Sequence, residues 1–437
     1  MHQSIWKETK LASFPRLTEN KKTDVLIIGG GLCGVLCAYY LKQAGVDCLL
    51  VEGDRIGSGV SGNTTGKVTW LQGLVYSDLI QKYGREKAQM YLRSQQEALR
   101  EYEKLSDAYD FDFEKRSAYT YSLKSKEGVE REGIALRALG AEVHLSAAEE
   151  LPFKTQGTLC AAEQGQLNII KLLRHLTRDI TVFEHTFVKN ITAEGVYFHH
   201  GVICAKNIIV ATHFPFVDRW GGYFLKQYQH RSYVLALKNA PRIKGMYVDE
   251  ADKGMSFRSY GDTLLLGGGG HRTGKRGGGF EEVENFVRSY YPKAKVVTCW
   301  ATQDCMTLDR LPYIGQYSSK TPNIFVATGF NKWGLTNSMA AALLLRDSIL
   351  GKKKDWDLVF SPRRSVLHPQ FFINLGETAG NMILPLPKRC SHLGCALHYN
   401  KAEHSWDCPC HGSRFSENGK VLDNPADRPA NVKSHFH

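Results

Sequence analysis

The chain of 437 residues is 43% hydrophobic and 23% charged, which predicts a globular protein of two or three domains. Its net charge of +12 is not gathered into a basic helix with interleaved aromatic residues. Nucleic-acid binding is therefore not expected, and the positive field suits an acidic electron partner or a carboxylate substrate. The sequence starts without the apolar core of a signal peptide, and it has no apolar run near the roughly 20 residues that span a bilayer. Seven of the 11 cysteines are scattered, as is typical of intracellular proteins, so we expect a cytoplasmic protein that is not transmembrane.

The first predicted unit is a strand, a glycine-rich turn, a helix and a second strand. An apolar run ends at Ile28, and Gly29, Gly31 and Gly34 follow in the spacing Gly-x-Gly-x-x-Gly. These glycines permit a tight turn, a close approach to a pyrophosphate, and packing of helix on strand. Glu52, at the end of the second strand, is placed to accept hydrogen bonds from a ribose hydroxyl. The unit predicts dinucleotide binding without choosing between NAD and FAD, and a purely structural turn is the alternative.

Further blocks along the chain make that choice. Residues 56–65 are rich in small side chains, and 308–315 and 329–336 flank a predicted strand at 323–328. With predicted strands at 181–188 and 207–212, these blocks resemble the D-amino-acid-oxidase-like flavoenzymes, which include the glycine and sarcosine oxidases. The resemblance extends over about residues 4–360 and implies FAD. It implies FAD contacts at Gly29, Gly31, Leu32, Cys33, Gly34, Glu52, Gly53, Ser61, Thr64, Thr65, Val188, Ala211, Thr212, Gly315, Gly329, Phe330, Lys332, Trp333, Gly334, Leu335 and Thr336.

The blocks leave two insertions that we predict to form the substrate side. Nucleotide-binding parts of about 20–76, 155–215 and 300–352 enclose insertions of about 77–154 and 216–299. The first insertion predicts a helix over 78–109, in which tyrosines such as Tyr91 and Tyr102 either line a pocket or, as we favour, form a packed face. The second has short alternating segments that fit a mixed sheet over the flavin.

A glycine-rich segment in the second insertion holds the only candidates for catalysis. Residues 267–279 contain eight glycines, together with His271 and Arg272. The segment is either a flexible surface hairpin or a loop beside the flavin, with His271 or Arg272 facing the substrate. No other acid or base is identified.

A charged junction near 352–364 predicts a boundary between a domain of residues 1–365 and a C-terminal module of 366–437. Within the module, Cys390, His392, Cys408 and His411 have metal-ligand spacing. Two thiolates on one iron and two imidazoles on the other form a Rieske 2Fe–2S centre. A four-ligand zinc site is the alternative, and the six potential ligands and the flanking residues argue against it.

This stretch closely resembles the Rieske proteins, and the resemblance assigns Cys390 and Cys408 to one iron and His392 and His411 to the other. It also implies a disulfide between Cys395 and Cys410, which oxygenase-type Rieske domains lack, so the electron-carrier branch of the family is favoured.

The module departs from that family in two ways. Only about 25 residues separate the junction from the first ligand, so part of the base sheet is expected to be missing or supplied by the flavin domain. Ser413 is present, but Phe415 lacks the hydroxyl found in high-potential Rieske proteins, so we expect a potential in the lower or middle part of the range.

The predicted fold class is therefore α/β: a Rossmann-like FAD-binding domain with an inserted α+β substrate domain, plus a small all-β Rieske module. Together the resemblances predict a flavin-dependent dehydrogenase that oxidises an amine or amino acid at a C–N bond. Electrons would pass from FAD through the 2Fe–2S cluster to a one-electron acceptor protein or a quinone-like acceptor. The alternative is a redox relay or sensor without a metabolite substrate, and the two large insertions argue against it.

Overall fold

A computed structural model describes residues 3–217, 220–251 and 253–432, so positions 433–437 of the predicted module lie outside the described residues. The strands of the described part, in chain order, are β1 Lys21–Ile28, β2 Cys48–Val51, β3 Lys67–Val68, β4 Glu114–Ser122, β5 His144–Leu145, β6 Gly157–Gln166, β7 Thr181–Phe183, β8 Val188–Ile191, β9 Val196–Phe198, β10 Gly201–Val210, β11 Gln227–Lys238, β12 Met246–Asp249, β13 Ser256–Tyr260, β14 Thr263–Arg272, β15 Lys295–Thr307, β16 Tyr313–Gln316, β17 Ile324–Thr328, β18 His398–Asn400, β19 Ser405–Asp407, β20 Arg414–Ser416 and β21 Val421–Asp423. The α-helices are α1 Leu32–Gln43, α2 Val75–Ala108, α3 Glu127–Ala138, α4 Ile169–Leu176, α5 Tyr223–Lys226, α6 Phe280–Tyr290, α7 Gly334–Ile349, α8 Asp357–Phe360 and α9 Pro369–Ile383.

A largely parallel sheet forms the nucleotide-binding side. Its main path runs β16-β17-β10-β1-β2-β7, and β1 pairs in parallel with both β10 and β2. The last four residues of β1 are all buried, as expected for a parallel strand covered on both faces. Helices α1 and α7 pack against each other beside this sheet. The carboxyl ends of β1, β2 and β10 therefore meet at one edge, where parallel sheets bind ligands.

A second, mixed sheet of nine strands forms the substrate side, with the main path β15-β11-β14-β13-β12-β4-β6-β3. It curls strongly, because Lys67 Nζ on β3 lies 3.4 Å from Ser256 Oγ on β13 although three strands separate them in the path. Strands β3, β6 and β15 fall in segments that the sequence assigned to nucleotide binding. They join this sheet because their backbone groups pair with β6, β4 and β11 respectively.

The long helix α2 packs its tyrosines into the core. The Tyr91 hydroxyl donates to Gln72 Oε1 at 2.7 Å, and the Tyr102 hydroxyl donates to the Leu335 carbonyl at 2.8 Å. Both rings are buried. These tyrosines therefore form a packed helix face, which is the alternative that we favoured from the sequence. The helix bends at Gly84, whose φ of 83° is not helical.

The glycine-rich segment is not a surface loop over its first half. Gly267 to Gly270 belong to β14 and are buried, and only the turn after Arg272 leaves the sheet. The reason is close packing: a Cβ at Gly268 would lie 2.2 Å from Met255 Sδ, and one at Gly274 would lie 2.5 Å from the Pro409 backbone nitrogen. Gly274, in the turn after β14, allows the C-terminal module to approach closely.

The C-terminal module has a four-stranded antiparallel sheet, β18-β19-β20-β21. In the described part of the chain these strands pair only with one another, and α9 stands before the first ligand where further base strands were expected. The flavin-side domain therefore does not complete this sheet by strand pairing; side chains dock the module instead. Across the described ranges, no helix combines the length and the apolar character needed to cross a bilayer.

Candidate functional site

The glycine turn after β1 is shaped by close backbone contacts. Gly29 has a φ of 114°, and a Cβ there would lie 2.5 Å from the Ala211 carbonyl oxygen. A Cβ at Gly34 would lie 1.9 Å from the Gly29 carbonyl oxygen. Helix α1 begins after Gly31 with no side-chain cap and no acidic residue in its first turn. Its N-terminal N–H groups and dipole fit the phosphates of a dinucleotide.

Two other predicted residues lie beside this turn. Ser61 Oγ accepts a hydrogen bond of 2.8 Å from the Leu32 backbone N–H at the start of α1. The Glu52 carboxylate, at the end of β2, accepts from the backbone N–H groups of Gly30 and Asp54 at 2.5 and 2.8 Å. Burial raises the pKa of Glu52, because a carboxylate shielded from water is disfavoured in its charged form.

The predicted C-terminal contacts lie around the start of α7. A Cβ at Gly329 would lie 2.2 Å from Thr307 Cγ2, so the chain passes very close to β15. Helix α7 begins at Gly334 without a side-chain cap, and Thr336 Oγ1 accepts from Gln72 Nε2 at 3.1 Å. A helix N-terminus here fits a group that gains negative charge.

Thr212 lies beside the glycine turn, where its backbone nitrogen would be 3.2 Å from a Cβ at Gly29, and Gly315 and Val188 lie on other strands. Gly315 is on β16, where a Cβ would meet Pro362 at 3.3 Å, and Val188 is buried at the start of β8. The Thr212 carbonyl accepts a hydrogen bond of 2.8 Å from Asn424 of the C-terminal module.

A basic pair that the sequence reasoning missed lies next to predicted Thr65. Lys67 Nζ is 3.3 Å from Thr65 Oγ1, and Arg258 Nη1 donates to the Gly66 carbonyl at 3.1 Å. Burial, reinforced by Arg258, lowers the pKa of Lys67 to about 7. Arg258 is fully buried, and its Nε and Nη2 have no hydrogen-bond partner in the described structure. Two buried donors without acceptors fit a bound anionic group.

The paired strands β11 and β15 carry a second group of polar side chains. His230 lies opposite Asp304 in the ladder. Both side chains and that of Thr302 keep partial exposure, whereas the adjacent Gln229 and Gln303 are buried. Burial raises the pKa of Asp304 and lowers that of His230 to about 3. His230 is therefore neutral at physiological pH, and its buried Nδ1 has no hydrogen-bond partner among the described residues.

The two candidates from the glycine-rich segment face elsewhere. His271 is buried, stacks on Tyr233, and shares a 3.0 Å hydrogen bond with the Tyr233 hydroxyl. Arg272 donates to the carbonyls of Pro409 and Cys410 at 3.1 and 3.3 Å. The structure thus places Arg272 at the junction with the C-terminal module rather than with the basic pair or with His230 and Asp304.

The four predicted metal ligands converge in that module. Cys390 and Cys408 are buried, with their thiols in contact. The rings of His392 and His411 are 5.1 Å apart between centroids and nearly perpendicular. Both ring nitrogens of His411 are buried without a hydrogen-bond partner in the described part of the chain. Two thiols and two imidazoles in this arrangement fit a Rieske cluster.

The predicted disulfide is not formed. Cys395 and Cys410 are both free cysteines. Their sulfur atoms lie close together, within 4.8 Å of each other and of Cys408, without a bond between them. The pairing rested on family resemblance, and the structure does not support it.

One cluster ligand faces the flavin-side domain. The His411 ring is buried against Phe214 and Phe224, at 6.4 and 5.8 Å between centroids. Gln303 donates to the Gly412 carbonyl at 2.9 Å. His392 keeps partial exposure. The two imidazoles therefore differ in environment, one enclosed by the larger domain and one reaching the surface.

Comparison with known proteins agrees with both halves of this arrangement. Residues 24–348 match the family described as FAD dependent oxidoreductase, and residues 363–435 match the Rieske [2Fe-2S] domain. The Bacillus subtilis (strain 168) protein YhfW, named for a Rieske 2Fe-2S centre, is 31% identical over 98% of this chain and 96% of its own. The gamma-glutamylputrescine oxidoreductase of Escherichia coli (strain K12) is 26% identical over 80% of this chain and 88% of its own.

Solved structures share the fold of the larger domain. The L-proline dehydrogenase from P. horikoshii superposes with a TM-score of 0.67 at 18% identity, covering 79% of this chain and 98% of that one. Glycine oxidase from Geobacillus kaustophilus gives a TM-score of 0.65 at 20% identity, covering 79% and 99%. At these identities the likeness establishes the fold, and the predicted α/β class with a small all-β module is confirmed.

Replacing Glu52 by Ala should weaken FAD retention about 10- to 100-fold, because charge-assisted hydrogen bonds contribute roughly 1.5–3 kcal/mol. Equilibrium dialysis with flavin fluorescence measures the affinity, and Glu52→Gln, which keeps the shape without the charge, should fall between the two. Glu163→Ala, a change at an exposed carboxylate, is the control. Unchanged FAD affinity in Glu52→Ala would rule out the ribose-binding role, and cluster absorption should not change in any variant.

Proposed function

Because the chain belongs to the FAD dependent oxidoreductase family and carries a Rieske [2Fe-2S] domain, it is an FAD-dependent oxidoreductase with a 2Fe–2S cluster. We propose that it oxidises the C–N bond of an amine or amino acid. Electrons would leave through the cluster to an external acceptor, either a one-electron acceptor protein or a quinone-like compound. FAD supplies two-electron oxidation and the cluster one-electron transfer. We also propose that residues 1–365 form the flavin domain and that 366–437 form the Rieske module.

The observation that carries the proposal is the burial of His411 in the larger domain. If the cluster exchanged electrons only with other proteins, nothing would require one of its ligands to be buried against Phe214 and Phe224 of the larger domain. Here the ligand loop is also fixed by hydrogen bonds from Arg272 and Gln303 to its carbonyls. These contacts support electron entry on the His411 side and exit on the partly exposed His392 side.

Two groups of polar side chains, Lys67 with Arg258 and His230 with Asp304, support an amine or amino-acid substrate. Neutral His230 and the Asp304 carboxyl group offer hydrogen-bonding partners to an amine. The two unpartnered donors of Arg258 fit a carboxylate, which favours an amino acid. Lys67, neutral above about pH 7, can take a proton from a substrate ammonium group, so that the bound amine is uncharged.

An anaerobic screen of amines and amino acids tests the reaction class. Each amino acid is paired with the amine that lacks its carboxylate, and bleaching of the flavin absorption is followed. At least one compound should bleach the flavin, and the amino acid of a pair should act at lower concentration. If no compound bleaches the flavin, the redox relay or sensor is the better account.

The Lys67 assignment predicts a pH dependence. Because burial lowers the pKa of Lys67 to about 7, the side chain is protonated below that pH and a proton acceptor above it. The kcat/KM for a substrate from the screen should therefore rise through about pH 7 and level off. Lys67→Met should lose this limb, while Lys124→Met, at an exposed position, should keep it. Retention of the limb in Lys67→Met would contradict the assignment.

Replacing a cluster imidazole should separate the two half-reactions. His411→Cys or His392→Cys adds negative charge at the iron, which disfavours reduction of the cluster. Bleaching of the flavin by substrate in a single turnover should persist. Reduction of an artificial one-electron acceptor should fall to background, and the Rieske-type EPR signal should disappear.

The matched control is His404→Cys, an exposed imidazole in the same module. It should keep both half-reactions. If the His411 and His392 variants reduce the acceptor at the wild-type rate, the cluster does not lie on the electron path.

A further inference from the structure

Helix α9 packs against the molecule with its polar side. Its buried residues are Asn374, Thr378 and Asn381, spaced four and three apart on one face. The opposite face carries Phe372 and Ile383, which are 61% and 81% exposed. Surface helices of globular proteins normally turn their apolar face inward. This helix does the reverse.

The polar inward face has partners in the cluster region. Asn374 Oδ1 accepts from Arg272 Nη1 at 3.0 Å, and the Asn381 carbonyl accepts from the Ala396 backbone N–H at 2.9 Å. The inward face of α9 is therefore held by hydrogen bonds near the cluster loops. Rotating the helix to bury its apolar side would break these bonds.

The exposed apolar surface is concentrated here. Of the 20 large hydrophobic side chains exposed in the described ranges, eight lie within residues 367–386, on α9 and the segments flanking it. They are Leu367, Phe372, Ile373, Leu375, Met382, Ile383, Leu384 and Leu386. Single exposed apolar side chains are ordinary, but a contiguous patch marks a binding surface.

The charges in the stretch of sequence that carries the patch indicate what kind of surface the patch would bind. Residues 363–401 contain five basic side chains and one acidic one. Arg364 is paired with buried Asp309, and Glu377 is paired with Lys275 at 2.6 Å. The segment therefore has four basic side chains left and no unpaired carboxylate, so it suits an anionic surface.

We propose that the apolar face of α9, together with residues 384–386, seats in the surface of a bilayer that contains anionic lipid. At 15 residues the helix is about 22 Å long, so it would lie in the interface with its apolar face among the lipid chains. A second copy of the chain is a poorer occupant, because it would bring two basic segments together.

The proposed contact brings the cluster close to the membrane. Cys410 Sγ lies 3.9 Å from the Glu377 carbonyl on the inner side of α9, so about one helix diameter separates the cluster loop from lipid. Membrane binding does not depend on the proposed reaction. If both hold, the acceptor is a lipid-soluble, quinone-like compound.

Flotation of the full-length holoprotein with vesicles tests the proposal. Vesicles of phosphatidylcholine and phosphatidylglycerol in a 3:1 ratio should carry the protein to the top of the gradient. Pure phosphatidylcholine should bind at least fivefold less, and raised salt should weaken the anionic binding. The double variant Phe372→Ser/Ile383→Asn should bind the mixed vesicles at least tenfold more weakly.

The matched control is Leu358→Ser/Ile134→Asn, at equally exposed positions outside the patch, which should bind like the wild type. Flavin and cluster absorption and the melting temperature should be unchanged in both, because all four side chains are exposed. Wild-type protein that stays at the bottom with mixed vesicles would overturn the proposal. So would a lipid-free dimer that the Phe372→Ser/Ile383→Asn change converts to a monomer, since the face would then belong to a second copy.

Discussion

A buried ion-pair network joins the two parts of the molecule, and the geometry of the site depends on it. The side chain of Arg231 on β11 is only 4% exposed, and its Nε donates to Glu403 of the C-terminal module at 3.0 Å. Glu403 also pairs with Arg414 at 2.8 Å, and Arg414 in turn pairs with Asp407 at 3.0 Å. Removing one partner from a buried pair typically costs about 3–5 kcal/mol. The network therefore resists separation of the module and fixes which of its faces meets the larger domain.

The alternation of side chains along β11 and β15 separates the residues that hold the module from those proposed to bind substrate. On β11 and β15, Arg231, Gln229 and Gln303 point to the face that receives the module, where Gln303 binds the Gly412 carbonyl. His230 and Asp304, one residue away, line the opposite face. Because successive side chains of a strand point to opposite faces, the proposed substrate binding and the proposed electron transfer to the cluster can use the same two strands without competing for space. A slip of one residue in register would exchange the two sets.

The sequence predicted best what depends on local geometry. The glycine turn at Gly29 and Gly34 lies in one short motif, and the cluster ligands lie in two short motifs, Cys390 with His392 and Cys408 with His411. Lys67 and Arg258 meet only because the second sheet curls, and nothing within a few residues of either indicates that contact. The strand character of residues 267–270 was missed because glycines indicate loops, whereas here Gly268 leaves room for the side chain of Met255, which precedes β13. The outward apolar face of α9 depends on partners as distant as Arg272.

The central claim is that electrons pass from the flavin to the cluster inside one chain. Rapid-freeze-quench EPR after anaerobic mixing with a substrate, at protein concentrations differing tenfold, measures this transfer directly. The account predicts that the reduced-cluster signal appears with a rate constant that does not depend on protein concentration and is at least as fast as turnover. A signal that fails to appear, or that appears at a rate proportional to protein concentration, would contradict it, because the cluster would then receive no electron from its own flavin.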